Sequence, residues 1–215
     1  MAIETLLLGE NRFPYHRLEK FGPYIVQMFD EDEFSIEYTT DRDVLTDGTL
    51  EDLDVLLSAM TDNTLSTGEQ DGLDEFVRGG GGFAGVHGAS CLQNREDEED
   101  DGPISTLREL LGGHFLGHPA QTRYRVAVTN SFHPITCDLD SFHVWDEPYR
   151  VATDEEVTVL ARMDHPEFPD MPAVWTKGHG EGRVFYCSLG HDEHSLTNSA
   201  VAELYRRGVR WVGSA

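Results

Sequence analysis

Gly80-Gly81-Gly82-Phe83-Ala84-Gly85-Val86-His87-Gly88-Ala89-Ser90 is the stretch that decides how this chain folds. Its apolar centre, residues 83–86, reads as a buried strand, and one polar side chain follows at once, framed by small neighbours. Glycine and alanine in these places permit a sharp strand-to-helix turn. Such a turn holds the polar side chain up at the carboxyl end of a sheet, in a strained position that bulkier neighbours would block. In open α/β sheets that edge is where ligands bind. His87 is therefore the first candidate site residue.

Working outward, Ile3–Leu8 and residues 54–59 read as buried strands, Phe34–Thr39 alternates with period two, and residues 21–29 read as a helix or turn. Ser66 and Glu69 have capping-box spacing ahead of a helix that carries Leu73, Phe76 and Val77 on one face and ends in the glycine run 79–82. Beyond the turn, residues 104–111 read as a short helix and residues 124–129, 157–162, 173–176 and 183–188 as strands. Residues 200–212 form an amphipathic helix with Val201, Leu204, Tyr205 and Val209 along one side. Strands alternating with helices predict βαβ construction around a parallel sheet. The length suits one domain over residues 1–215, and no internal repeat is visible.

Charge narrows the function classes. The chain carries 40 Asp and Glu against 16 Lys and Arg, a net charge of -24, and its lysines are Lys20 and Lys177 alone. A basic face for phosphates is out of reach, which argues against nucleic acid as a partner. Carboxylates spread over the whole length predict a surface adapted to high salt, of the haloarchaeal type, where their repulsion is screened. The densest run, residues 94–102, predicts a solvated, mobile acidic loop. No apolar run is long enough to span a membrane, and the N-terminus lacks the basic start of a signal peptide, so a soluble cytoplasmic protein is expected. Cys91, Cys137 and Cys187 show no pairing or metal-like spacing, as in a reducing compartment.

Four further segments carry ionisable groups. Gly178-His179-Gly180-Glu181-Gly182 is a glycine-rich hairpin turn into a strand that ends in Leu189-Gly190-His191-Asp192. If that strand runs parallel to the one before His87, His191 reaches the same crevice. Phe115-Leu116-Gly117-His118-Pro119, His133-Pro134-Ile135-Thr136 and Trp145-Asp146-Glu147-Pro148-Tyr149 complete the set, and His16 falls in the loop after the first strand. His133 reads as a structural hydrogen bonder. His143, His165, His179 and His194 read as exposed or loop histidines.

Together these pieces resemble the ThuA-like (trehalose-utilisation) family over about residues 3–212: the Gly-Gly-Gly-Phe-x-Gly-x-His turn ending at His87, Gly-x-x-Phe-x-x-His-Pro at 112–119, His-Pro-Ile-Thr at 133–136, Asp-Glu-x-Tyr at 146–149, Trp-Thr-Lys at 175–177, and Gly-Arg-Val-Phe-Tyr-x-Ser-Leu-Gly-His at 182–191. The resemblance implies an α/β, flavodoxin-like fold of the class I glutamine amidotransferase type, an open, mostly parallel sheet with helices on both faces. It further implies a role in the metabolism of trehalose and other disaccharides as oxidised (keto) sugars, and a small homo-oligomer.

Amidotransferases of that type place cysteine where this chain has His87, and a histidine and carboxylate where it has His191 with Asp192 or Glu193. Imidazole forms no stable thioester, so cysteine-dependent glutamine hydrolysis is excluded, and Cys91 is a poor substitute. Two jobs stay open for the remaining histidines and carboxylates. One is acid/base catalysis on a keto sugar by His87 and His191 with Glu147, while His16, His118, Tyr149 and Asp192 bind or orient the sugar and Trp175 stacks on it. The other is a divalent metal held by His87, His191, His16 and Glu147, as in a metal-dependent hydrolase. No other cofactor suggests itself, and a non-catalytic sugar-binding or regulatory domain is the rival from a different class.

Overall fold

The computed structural model describes residues 2–61, 64–91 and 102–214, with backbone alone over 102–105. The acidic segment expected as a loop lies outside the described residues up to position 101.

The chain runs β1 (Ile3–Leu8), α1 (Leu18–Val26), β2 (Phe34–Thr39), β3 (Val55–Ser58), α2 (Thr67–Arg78), β4 (Gly82–Val86), α3 (Gly102–Leu111), β5 (Gly113–Gly117), β6 (Thr122–Val128), β7 (Phe142–Asp146), β8 (Arg150–Thr153), β9 (Thr158–Asp164), β10 (Met171–His179), β11 (Gly182–Cys187), α4 (Glu193–Leu196) and α5 (Ser199–Val212). One nine-stranded sheet has the order β2-β1-β3-β4-β11-β10-β9-β6-β7, and β5 pairs with β8 apart from it. The strands from β2 to β11 are parallel neighbours, and those from β11 to β7 pair antiparallel. The parallel half has the flavodoxin-like order, with β11 as its fifth strand. The chain thus has the flavodoxin-like α/β fold that the sequence predicts, extended by four antiparallel strands.

Local sequence explains these elements. Every residue of β3 and β4 is buried, as continuous apolar runs in a doubly covered parallel sheet require. The Ser66 hydroxyl accepts from the Glu69 amide while the Glu69 carboxylate accepts from the Ser66 amide, so the capping box that opens α2 is formed. α5 lays Val201, Leu204, Tyr205, Val209 and Val212 against β11, β4 and β3.

Register is what positions the site. Cys187 pairs with Val86, Leu8 with Ser58, and Ser58 with Gly85. The chain therefore leaves β1, β3, β4 and β11 at nearly one level, at the carboxyl edge of the parallel half. Residues 16, 61, 87 and 191 converge there from four loops.

Candidate functional site

His87 opens a 3-10 turn, His87–Ser90, with φ of +41°, a left-handed conformation rare for a residue with a Cβ. Gly88 lets Thr61 approach: a Cβ there would lie 2.3 Å from the Thr61 hydroxyl oxygen. Strain of this kind persists only where the surroundings over-determine it, and they do. His87 Nδ1 donates to the carbonyl of Ser188 at 2.7 Å, the Tyr149 hydroxyl lies 2.8 Å from Nε2, and the Tyr186 hydroxyl donates to the His87 carbonyl at 2.7 Å. With its Nδ1 proton committed to a carbonyl, His87 turns the Nε2 lone pair toward the site.

The remaining groups surround that lone pair. His191 Nδ1 lies 3.1 Å from Glu147 Oε2 and 3.1 Å from His16 Nε2. The same carboxylate oxygen lies 3.4 Å from His87 Nε2 and 3.5 Å from His118 Nε2. His16 Nδ1 is 2.7 Å from the Thr61 hydroxyl, and His118 Nδ1 donates to the carbonyl of Pro119 at 2.8 Å. The rings of His16, His87 and His191 stand 5.1 to 5.3 Å apart, and one ring nitrogen from each lies within 4.8 Å of the others. Beside them, walled by Leu18, Phe21 and Ile25, is a cavity of about 20 Å³, room for a water or a small ion.

Electrostatics follow from crowding. Burial and the neighbouring His87 and His191 push His16 from 6.5 down to about 2, so it stays neutral. Burial alone would raise Glu147, but the His191 N–H and the imidazoles of His191 and His87 beside it hold it well below the usual carboxylate range. His191 moves up: burial disfavours its charged form, and the Glu147 carboxylate more than compensates. Burial lifts the Tyr149 phenol well above its ordinary value and keeps it protonated.

A pH dependence results. The unfolded chain protonates His16 near pH 6.5 and the folded one does not, so stability falls as pH drops below that value, by up to about 1.4 kcal/mol per pH unit. His191, with its raised folded value, adds stability that is already complete below pH 6.5 and so does not offset this slope. Urea midpoints between about pH 6.5 and pH 4.5 should fall in the native protein and fall less in His16→Asn; parallel slopes would contradict the assignment.

Of the residues picked from the sequence, six assemble: His16, His87, His118, Glu147, Tyr149 and His191. Two do not. Trp175 is fully buried in β10, donates from Nε1 to the Leu111 carbonyl at 2.8 Å and packs on Tyr186, so no sugar can stack on it. Asp192 caps α4, accepting from the amides of His194 and Ser195 and from Gln121. Glu193 accepts from Tyr24, so the carboxylate paired with His191 is Glu147, from a different loop than the amidotransferase comparison suggests. Burial pushes the Cys91 thiol up to about 12, which removes it as a nucleophile. His179, expected in a loop, is buried at the end of β10 and paired with Asp74 at 2.6 Å.

Asp146 is the participant that the sequence leaves unmarked. Its fully buried carboxylate accepts from the Gly190 amide at 2.8 Å, the His191 amide at 3.3 Å, the Ser195 hydroxyl at 2.5 Å and the Glu147 amide at 2.7 Å. Gly190, at φ +120°, supplies a backbone that other residues rarely adopt. One side chain thus fixes both Glu147 and His191. The signal was its place inside the Asp-Glu-x-Tyr motif, one residue before the carboxylate that faces the histidines.

Fold and site together define a flavodoxin-like α/β domain whose turn after β4 carries histidine and whose carboxyl edge holds a histidine and carboxylate cluster. The family model for ThuA, described as trehalose utilisation, matches residues 5–212, and the chain belongs to this family. Similar solved structures include a putative ThuA-like protein from Bacteroides uniformis ATCC 8492, with TM-score 0.79 and 22% identity over 98% of this chain and 91% of that one. Another is a putative ThuA-like protein from Parabacteroides merdae ATCC 43184, with TM-score 0.81 and 15% identity over 100% and 91%. A β-galactosidase from Rahnella sp. R3 matches with TM-score 0.69 and 15% identity, over 96% of this chain and 30% of its own. No curated protein matches the chain in sequence. Among the described residues no helix is long and apolar enough to cross a membrane.

Proposed function

We propose that this chain acts on an oxidised (keto) sugar of the disaccharide class at the histidine cluster, and that a divalent cation belongs to that site. The observation that carries the reading is the convergence of one nitrogen each from His16, His87 and His191 within 4.8 Å, with the Glu147 carboxylate among them. Acceptors crowded in this way repel one another unless a proton or a cation lies between them. The donor set of imidazole and carboxylate suits zinc, manganese and similar ions. His87 also ties its far nitrogen to a carbonyl and His16 to a hydroxyl, the support that metal-bound imidazoles have. His16, His87, His191 and Glu147 would hold the ion. When bound, it would polarise a carbonyl oxygen of the sugar.

The chain's own groups supply the proton chemistry. His118, about one-third exposed and with Nδ1 tied to Pro119, offers its Nε2 lone pair to a proton on the carbon beside the carbonyl. The buried, protonated Tyr149 hydroxyl, which donates to His87 Nε2, leaves its oxygen to accept from a sugar hydroxyl that enters beside His87. The family description as trehalose utilisation supports the sugar class.

Turnover of a keto-disaccharide by the purified protein, lost in a His87→Ala, His191→Ala double variant, is the expected result. Unchanged turnover in that variant would overturn the catalytic role. Purified protein free of divalent metal and indifferent to chelator would overturn the cation.

A further inference from the structure

Phe13 and Tyr15 stand on the segment that leads from β1 to His16. Their rings are nearly parallel, 10° apart, with centroids 5.6 Å from one another, and the Tyr15 and His16 rings meet edge to face with centroids 4.9 Å apart. Pro14 between them restricts the backbone. Tyr15 is therefore held against an aromatic ring and a member of the imidazole cluster, yet 49% of it faces solvent. The Arg12 guanidinium lies over the Phe13 ring at 5.6 Å and rims the same ledge.

A half-bare aromatic ring costs hydration free energy, and it is held in place beside a reaction centre. Tyrosine offers a large, stiff surface at low entropic cost, with a polar tip at its edge. The complementary ligand has an apolar face and a polar rim. It is also not an anion, because a chain with net charge -24 repels anions. A pyranose ring has this shape: its axial C–H bonds form one apolar face and its hydroxyls point outward.

We propose that Tyr15, backed by Phe13 and rimmed by Arg12, is a stacking subsite for the second, non-reacting ring of a disaccharide whose first ring lies at the imidazole cluster. The disaccharide class rests on the function proposed above, and the subsite adds which residues hold the ring that does not react. The His16 ring is the hinge between the two positions, 4.9 Å from Tyr15 and 5.1 Å from His87.

Calorimetric titration with unoxidised trehalose and with glucose tests this on the full chain. The native protein is expected to bind trehalose more tightly than glucose. Tyr15→Ala should weaken trehalose about ten-fold and leave glucose unchanged, while Tyr15→Trp retains or tightens trehalose binding. Equal affinities for the two sugars, no trehalose binding by the native protein, or unchanged trehalose affinity in Tyr15→Ala would each overturn the subsite. Failure of the catalytic reading looks different. Trehalose would still bind through Tyr15, while no keto-disaccharide turns over.

Discussion

Glu147→Gln should lower turnover of a keto-disaccharide by roughly 100-fold or more and strip the divalent cation from the purified protein. The substitution keeps the side chain's shape and removes its charge, so the loss reports electrostatics rather than packing. Glu147 Oε2 lies within 3.5 Å of ring nitrogens on His87, His118 and His191, and no other carboxylate among the described residues does so. A titration shift separates this from general damage. With the carboxylate gone, burial is opposed only by the more distant Asp146 and Asp192, so the His191 pKa should fall from its raised value, visible in imidazole proton resonances. Activity within about two-fold of native, with His191 still raised, would remove Glu147 from the centre of the site.

The second large effect is on stability. Asp146→Ala should cost roughly 3–5 kcal/mol and lower the melting temperature by roughly 10 °C. The substitution leaves the Gly190 and His191 amides and the Ser195 hydroxyl without their acceptor, the first and last of them buried. Asp146→Asn keeps one acceptor oxygen and should lose less. Because β11's exit loop would loosen, the alanine variant should also show faster amide exchange at residues 189–192. A loss under about 1 kcal/mol would mean that the loop is held by its own backbone.

Much of this could be read from the chain before any coordinates. β1 and β2 fall on the predicted bounds because Thr5-Leu6-Leu7-Leu8 and the alternation of residues 34–39 are unambiguous patterns. His87 was legible because Gly85 and Gly88 around it leave room for the close approach of Tyr186 and Thr61. What stayed hidden has physical causes. β7 went unread because one of its inward positions is filled by Asp146, a carboxylate where apolar alternation expects a hydrocarbon. β5 and β8 are short, and glycine stands at both ends of the first, so neither carries a period. The pairing of His191 with Glu147 rather than with its own neighbours could not be seen, since it joins two loops through antiparallel strands whose order the sequence does not encode locally. Trp175 shows the converse difficulty: a tryptophan on a strand looks the same whether it lines a pocket or fills a core.

The hydrogen-bonded approach of His16 to His191 joins positions 175 residues apart. Between them the chain must lay down β3, β4 and β11 in register before the four loops face one another. No fragment and no half-folded chain can therefore own this site. A ligand that needs all of its imidazoles is thermodynamically a ligand of the completed sheet, and its free concentration sets part of the folding equilibrium. Occupancy of the imidazole cluster would then report that the parallel half of the protein has finished folding.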